Sequence, residues 1–281
     1  MQKKVIDIFG IPFSPLNRQK ALLMVQDSIR SNNQHFIVTP NPEILLLARE
    51  DATYARVLKH ADARLPDGIG VLWAAGVKSL SLGKFFSKVS FFSRILLIFS
   101  AFFYFFCIIF WPSRLKRVLP ERISGTDFLQ DICHLKNPRV HVFFLGAAPG
   151  IAHLAAQRLK YENPDLIVAG SSSGIPYDNE DDVIRRIRNS GATVLFVAYG
   201  SPKQEFWIYH NLRKMPNVKI AMGVGGAFDY ISGKRRRAPL FLRRLGLEWV
   251  VRLFNEPRRL RRIFNATIKF PYIVLKECLR K

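Results

Sequence analysis

The 281-residue chain carries 43 Lys+Arg against 21 Asp+Glu, a net charge of +22, with 49% hydrophobic and 23% charged residues. That balance excludes a disordered, collagen-like or coiled-coil chain and leaves room for one large domain or two small ones. The basic excess requires an anionic partner, which nucleic acid, an anionic membrane or a phosphorylated substrate would each supply.

In chain order, MQKKVIDIFGIPFSP lacks the long apolar stretch and the cleavage site of a signal peptide. HFIVTPN (His35–Asn41) reads as a strand that stops in a Pro/Asn turn, and Pro42 opens the helix PEILLLARED. ADARLPDG reads as a strand whose closing turn exposes Asp67. From Gly68 to Pro120 there is no Asp or Glu, and Phe85–Trp111 holds 10 of the 23 phenylalanines. Lys84, Lys88, Arg94, Arg114, Lys116 and Arg117 flank its apolar centre. Apolar residues on every face argue against a core helix, and cations on both sides leave the positive-inside rule without a direction. A re-entrant hairpin or an interfacial helix is the expectation, because one crossing would separate residues needed in a single site. A transmembrane segment over residues 91–111 is the alternative.

SGTD (Ser124–Asp127) starts the next helix, with Ser124 or Thr126 as its cap. The second half then alternates: a buried strand and its Gly/Ala-rich turn over Val140–Gly150, a helix through Lys160, strand Leu166–Gly170, helix Asn179–Gly191, strand Thr193–Gly200, a helix from Pro202, and strand Val218–Gly226. Continuous apolar strands alternating with helices predict an α/β fold, a Rossmann-like, mostly parallel sheet with helices on both faces. Residues 1–232 form this domain, with the hydrophobic, membrane-associating insert 85–111 inside it. Residues 233–281, with 15 basic and 3 acidic side chains, form a basic amphipathic helical appendage. Its apolar faces suit a membrane surface, an active-site lid or packing against the main domain.

In such sheets ligands bind beyond the carboxyl ends of the strands. The turns expected there are GAAPG, GSSSG, YGSPKQE and GVGGAFD, whose small residues let backbone amides approach an anion. Gly146, Gly150, Gly200 and Gly226, with Lys203, are the substrate-binding candidates of these turns. GAAPG is neither a Walker loop nor a full GxGxxG, so ATP hydrolysis and nicotinamide binding gain little. Cys107, Cys133 and Cys278 form no CxxC pair and the six histidines no HExxH, so no metal site or cofactor is expected.

TPNPEI, ADARLPDGIGV, ERISGTD, FFLGAAPG, VAYGSPKQE, GVGGAFDYISGKRRRAP and LGLEWVVRLFNEPRRLRR, in this order, resemble the WecG/TagA/CpsF family of bacterial glycosyltransferases, glycosyltransferase family 26. The strings cover most of Gln34–Arg262. Phe85–Trp111 departs from the pattern, since the family usually passes directly from the DGIGV helix to the R-SGTD segment. The resemblance implies an inverting, metal-independent transfer from a UDP-sugar to a polyprenyl-diphosphate-linked saccharide at the cytoplasmic face of the cell membrane. The sugar implied is N-acetylmannosamine, its uronic acid or a related hexose, for a cell-surface polysaccharide. An anionic membrane surface is an expected partner, nucleic acid is not, and homo-oligomer formation is left open.

The resemblance implies that Asp67 is the base that takes the acceptor proton, its other reading being an Asp-Gly turn residue. Thr39 and Asn41 match family positions near the reacting sugar, with helix capping as the alternative for the TPN string. Gln204 is expected near the donor diphosphate or the acceptor, and Lys203 and Glu205 have a local ion pair as their alternative. Asp229 is placed to accept hydrogen bonds from ribose or uracil, or to act as a buried cap. Arg237 and the arginines after Pro257, Arg258 and Arg262 among them, are the cations available to a leaving diphosphate. The remaining basic residues suit anionic lipid. A nucleic-acid-binding protein, a nicotinamide-dependent reductase and a non-catalytic scaffold are the rival readings.

Overall fold

The computed structural model describes residues 6–31, 33–81, 98–103, 118–174, 179–245, 248–255 and 260–279. An antiparallel hairpin, β1 (Ile6–Ile8) and β2 (Ile11–Phe13), opens the chain and turns through Phe9 and Gly10, both at positive φ. Helix α1 (Arg18–Ser31) leads into β3 (His35–Val38), α2 (Pro42–Glu50), α3 (Ala52–His60) and the two-residue β4 (Ala63–Arg64). Asp51 separates the two helices: it ends α2, and its Oδ1 accepts from the N–H groups of Thr53 and Tyr54 to cap α3. Helix α4 (Ile69–Ser81) follows Asp67, and α5 (Gly125–Cys133) follows Ser124.

The second half continues as β5 (His141–Gly146), α6 (Ile151–Glu162), β6 (Ile167–Ser172), α7 (Glu180–Asn189), β7 (Val194–Ala198), α8 (Lys203–Asn211), β8 (Ile220–Gly223) and α9 (Ala227–Ile231). The six-stranded sheet is parallel throughout, in the order β4-β3-β8-β7-β5-β6. Successive side chains of a strand point to opposite faces, and here both faces are buried. Phe36, Val38, Phe143, Leu145, Leu195, Val197 and Ala221 join the layer of α2, α3, α4 and α8. Ile37, Val142, Phe144, Val194, Phe196, Ile220 and Met222 join the layer of α1, α5, α6 and α9. The continuous apolar strands of the sequence are thus the consequence of helices on both sides.

β6 extends further than expected, through Ser172, so GSSSG begins inside the strand. A Cβ on Gly170 would lie 2.6 Å from the Phe143 ring. This glycine answers to packing between β5 and β6.

After α9 come α10 (Leu240–Arg244), α11 (Glu248–Asn255), α12 (Leu260–Phe264), a π turn (Asn265–Lys269) and α13 (Phe270–Leu279). Phe270, Ile273, Val274 and Cys278 are buried in the same layer as α4. Ion pairs Arg262–Glu43, Lys269–Glu50 and Arg49–Glu277 tie this end of the chain to α2 and its flanks. The last helix therefore packs into the core, whereas Leu260, Phe264, Ile268 and Tyr272 remain exposed.

Most of the Phe85–Trp111 insert lies outside the described residues. Its described part, residues 98–103, is helical and rests on α4, where the Trp73 indole N–H donates to the Ala101 carbonyl at 2.9 Å. Ala101 is buried, while Phe99 and Phe103 are each 68% exposed. Among the described residues no helix is long and apolar enough to cross a membrane. The proposed span over residues 91–111 falls largely outside them.

Candidate active site

The sheet order decides what meets at its carboxyl edge. β4, β3 and β8 are neighbours, so the segments after Arg64, Val38 and Gly223 emerge side by side. Leu65 N–H donates to the Val38 carbonyl, Asp67 N–H to the Pro40 carbonyl at 3.1 Å, and Ile123 N–H to the Pro66 carbonyl at 2.8 Å. Half-buried Asp67 is thus held between the TPN loop and the ERISG segment, and Gly68 at φ +93° turns the chain into α4. Only a residue without Cβ makes that turn without strain.

Thr39, also half-buried, faces the start of α5: a Cβ on Gly125 would sit 3.0 Å from Thr39 Oγ1. Asn41 caps α2, its Oδ1 accepting from Ile44 N–H at 3.0 Å. Its Nδ2 has no hydrogen-bond partner among the described residues, so the cap leaves two donors for a ligand.

Arg237 reaches this edge from the C-terminal stretch. Its guanidinium donates to Asp127 Oδ1 at 2.5 Å and to Ser124 Oγ at 3.2 Å, and its Nε is buried without a partner among the described residues. Arg243 lies 3.3 Å from the same Asp127 oxygen. Burial alone would raise the Asp127 carboxyl; the Arg237 bond and the charges of Arg237, Arg243 and Arg18 outweigh it and hold it below its ordinary value. Two arginines on one carboxylate leave a positive charge beside the α5 N-terminus. Ser124 occupies the cap position of α5 without capping it, because its hydroxyl serves Arg237 instead.

Arg262 makes a two-pronged pair with Glu43 at 2.5 and 2.9 Å, in the first turn of α2 and two residues from Asn41. Arg258 lies outside the described residues. Asp229, on α9, is half-buried, with its Oδ2 3.6 Å from Arg235 Nε and 3.7 Å from where a Gly226 Cβ would stand.

The glycines divide by physical reason. Gly146 is a packing residue, since a Cβ there would come 2.9 Å from the Tyr199 ring and 3.0 Å from the Ala198 carbonyl. Gly150 and Gly200 have φ of +79° and +75° with open space where a side chain would be. The Gly150 N–H donates to Ser173 Oγ at 3.1 Å, linking the turns after β5 and β6. Gly226 is exposed at the end of β8.

Gln204 lies beneath the turns after β7 and β8, with its side-chain amide turned to the protein. Its side chain is 3% exposed, Oε1 accepts from Gly200 N–H (3.1 Å) and Gly225 N–H (2.9 Å), and Nε2 donates to Glu205 Oε1 (2.7 Å) and Ser201 Oγ (3.3 Å). All four hydrogen-bonding positions of the amide are taken by the protein, so it shapes the turns from beneath. The local Lys203–Glu205 ion pair does not form: Lys203 is exposed, and Glu205 turns inward to Tyr54, Ser201 and Gln204.

Sequence reasoning passed over two features. Arg122, half-buried next to Ile123, is drawn to the Asp67 turn by the Ile123–Pro66 bond and has no hydrogen bond or ion pair among the described residues. Its position ahead of SGTD was the available signal. The Tyr54–Glu205 contact joins residues 151 apart and had none. Among the described residues no group of three or more His, Cys, Asp or Glu converges as a metal site.

The family model described as glycosyl transferase WecG/TagA/CpsF family matches residues 6–99 and 107–281. Residues 100–106, within the hydrophobic insert, fall between the matched stretches. A protein of Bacillus spizizenii strain W23, named N-acetylglucosaminyldiphosphoundecaprenol N-acetyl-beta-D-mannosaminyltransferase, is 35% identical over 88% of this chain and 80% of its own. A protein of the same name from Staphylococcus aureus strain MRSA252 is 28% identical over 96% of this chain and 92% of its own. A sheet edge that gathers Thr39, Asn41, Asp67 and Arg237, in a chain matched nearly end to end, leads to one assignment: this chain belongs to the WecG/TagA/CpsF family of glycosyltransferases.

Proposed function

We propose that the chain transfers an N-acetylmannosamine-type sugar from a UDP-sugar to a polyprenyl-diphosphate-linked N-acetylglucosamine at the cytoplasmic face of the cell membrane. The observation that carries this reading is the meeting of Asp67, Thr39 and Asn41 in the segments that follow the adjacent parallel strands β4 and β3, beside the arginine-bearing start of α5. The two relatives' names supply the acceptor and the sugar.

In this mechanism the Asp67 carboxylate takes the proton of the acceptor hydroxyl as that oxygen attacks the anomeric carbon. The new C–O bond forms opposite the breaking bond to the diphosphate, whose electron pair leaves with UDP, and the anomeric centre inverts. Thr39 and the free Nδ2 of Asn41 hydrogen-bond the sugar and hold the two reactants in line. Arg122 and Arg237, with the glycine turns after β7 and β8, stabilise the charge that develops on the diphosphate. Arg supplies a planar donor fork for this, and Lys203 an exposed point charge at the turn. Asp229 accepts from the nucleoside hydroxyls.

The exposed apolar side chains of residues 98–103 and of the C-terminal helices, together with the basic excess, support peripheral association with an anionic membrane. The deciding experiment incubates the full chain with a panel of UDP-sugars and a short-chain prenyl-diphosphate N-acetylglucosamine. Transfer from a UDP-N-acetylhexosamine, with inversion at the anomeric carbon, is expected. Retention of configuration, or no transfer from any UDP-sugar, would refute the reading.

A further inference from the structure

Beneath the turns after β7 and β8 lies a polar cluster that the transfer chemistry leaves unused. Tyr54 and Glu205, from α3 and α8, are at most 2% exposed, and no cation pairs with the carboxylate among the described residues. Glu205 Oε1 accepts from Ser201 Oγ at 2.8 Å and from Gln204 Nε2 at 2.7 Å, and Oε2 accepts from the Tyr54 hydroxyl at 3.1 Å. A buried acidic group is stable only when such donors surround it. Burial raises this carboxyl, and the three side-chain bonds work against the rise.

The consequence lies one residue away. A side-chain amide has two ends, and Glu205 can accept only from the nitrogen end of Gln204. The oxygen end must then face the N–H groups of Gly200 and Gly225, which lie in the turns after two different strands and stand 3.1 and 2.9 Å away. Both glycines adopt positive φ, and open space lies where their side chains would be. Gly223 accommodates the clasp, since a Cβ there would stand 2.6 Å from Gln204 Nε2.

We propose that Glu205 is a positioning residue for sugar transfer: by orienting the Gln204 amide it joins the β7 and β8 turns into one rigid cradle for the donor diphosphate. This rests on the reading of those turns as the donor site. Apposing two glycine turns across adjacent strands needs a fixed link, because each turn alone has the conformational freedom of glycine, and an ordered supporting shell is what keeps a binding site in its productive geometry.

The test compares the wild-type chain with Glu205→Leu, Glu205→Gln and Tyr54→Phe. It measures amide hydrogen exchange at Gly200 and Gly225 by NMR, UDP affinity by calorimetry, and KM for donor and acceptor separately. In Glu205→Leu the Gln204 nitrogen loses the nearer of its two acceptors and keeps only Ser201 Oγ at 3.3 Å, and exchange at the two glycines and the donor KM should each rise about tenfold to a hundredfold, with the acceptor KM unchanged. Glu205→Gln keeps an acceptor oxygen for Gln204 and Ser201 and should recover most of the loss. Tyr54→Phe removes one of three donors and should show the same pattern more weakly, which preserves the test if Glu205→Leu does not fold. Donor and acceptor KM rising together, without rescue by glutamine, would mean a structural role only and overturn the proposal. Unchanged glycine exchange in a folded variant of a chain that binds UDP would overturn the clasp itself. A wild-type chain that binds no UDP would overturn the donor reading, and the proposal with it.

Discussion

Replacing Arg237 by methionine removes the 2.5 Å bond to Asp127 and the 3.2 Å bond to Ser124 while keeping most of the aliphatic stem. Breaking a fully buried pair from one side costs about 3–5 kcal/mol. Two features of the structure reduce that figure here. The Asp127 side chain is 26% exposed, so water screens part of the loss, and Arg243 at 3.3 Å still faces the carboxylate. The expected destabilisation is about 1–2 kcal/mol at neutral pH, a fall in Tm of roughly 2–8 °C for a chain of this size. Its pH dependence carries the sharper test. The Asp127 carboxyl is held below its ordinary value in the folded protein, so its contribution is fully present above the unfolded pKa. That contribution disappears as pH falls through the lower, folded value. Without Arg237 the folded value rises toward the ordinary one and there is less to lose. The Tm difference between wild type and Arg237→Met, followed by calorimetry from pH 7 to pH 3, should therefore narrow at the acid end. A difference that stays constant over that range would refute the ion-pair account, and so would an Arg237→Met chain as stable as wild type at pH 7.

Asp67→Asn keeps the backbone bond to Pro40 and the turn at Gly68 but removes the proton acceptor, so kcat should fall about 10²–10⁴-fold with UDP affinity retained in calorimetry. Asn41 has separable duties: Asn41→Asp preserves the α2 cap and the Tm but lacks the two amide donors, so it should lose transfer activity, whereas Asn41→Ala should lose about 1 kcal/mol of stability as well. Thermal melts and turnover measured on both variants settle this, and wild-type turnover in Asn41→Asp would limit the residue to capping. Changing Phe99 and Phe103 together to serine should lower the fraction of protein that sediments with anionic vesicles, because both rings are exposed on the segment held by Trp73. Unchanged sedimentation would assign membrane association to other surfaces.

The alternation of apolar strands and helices from Val140 to Gly226 was legible because β5, β7 and β8 are buried on both faces, which leaves near-continuous hydrophobic runs. The ends of the strands were less so. β6 runs on through Ser172 by pairing with Phe144 and Leu145 of β5, and Gly170 within it leaves room for the Phe143 ring, contacts with no local signature. Among the candidate site residues, Asp67 and Asn41 were singled out by the family resemblance of their strings, while the residues alone read as a tight Asp-Gly turn before α4 and a helix cap before α2. Gln204 stood in a recognisable string, yet whether its amide faces a ligand or the protein depends on Glu205 and on a glycine 21 residues away.

Sequence by itself therefore determined the periodicities, the capped helix starts, the tight turns and the distribution of charge, all of which depend on neighbours a few positions apart. The tertiary structure decided which turns share an edge, since placing β8 between β3 and β7 is a matter of how helices cover the two faces. It also decided the partners of the buried polar groups. Arg237 meets Asp127 across 110 residues and Tyr54 meets Glu205 across 151. Once desolvated, a charge or hydroxyl must find a complementary group within hydrogen-bonding distance. Which group that is depends on the packing of the whole chain.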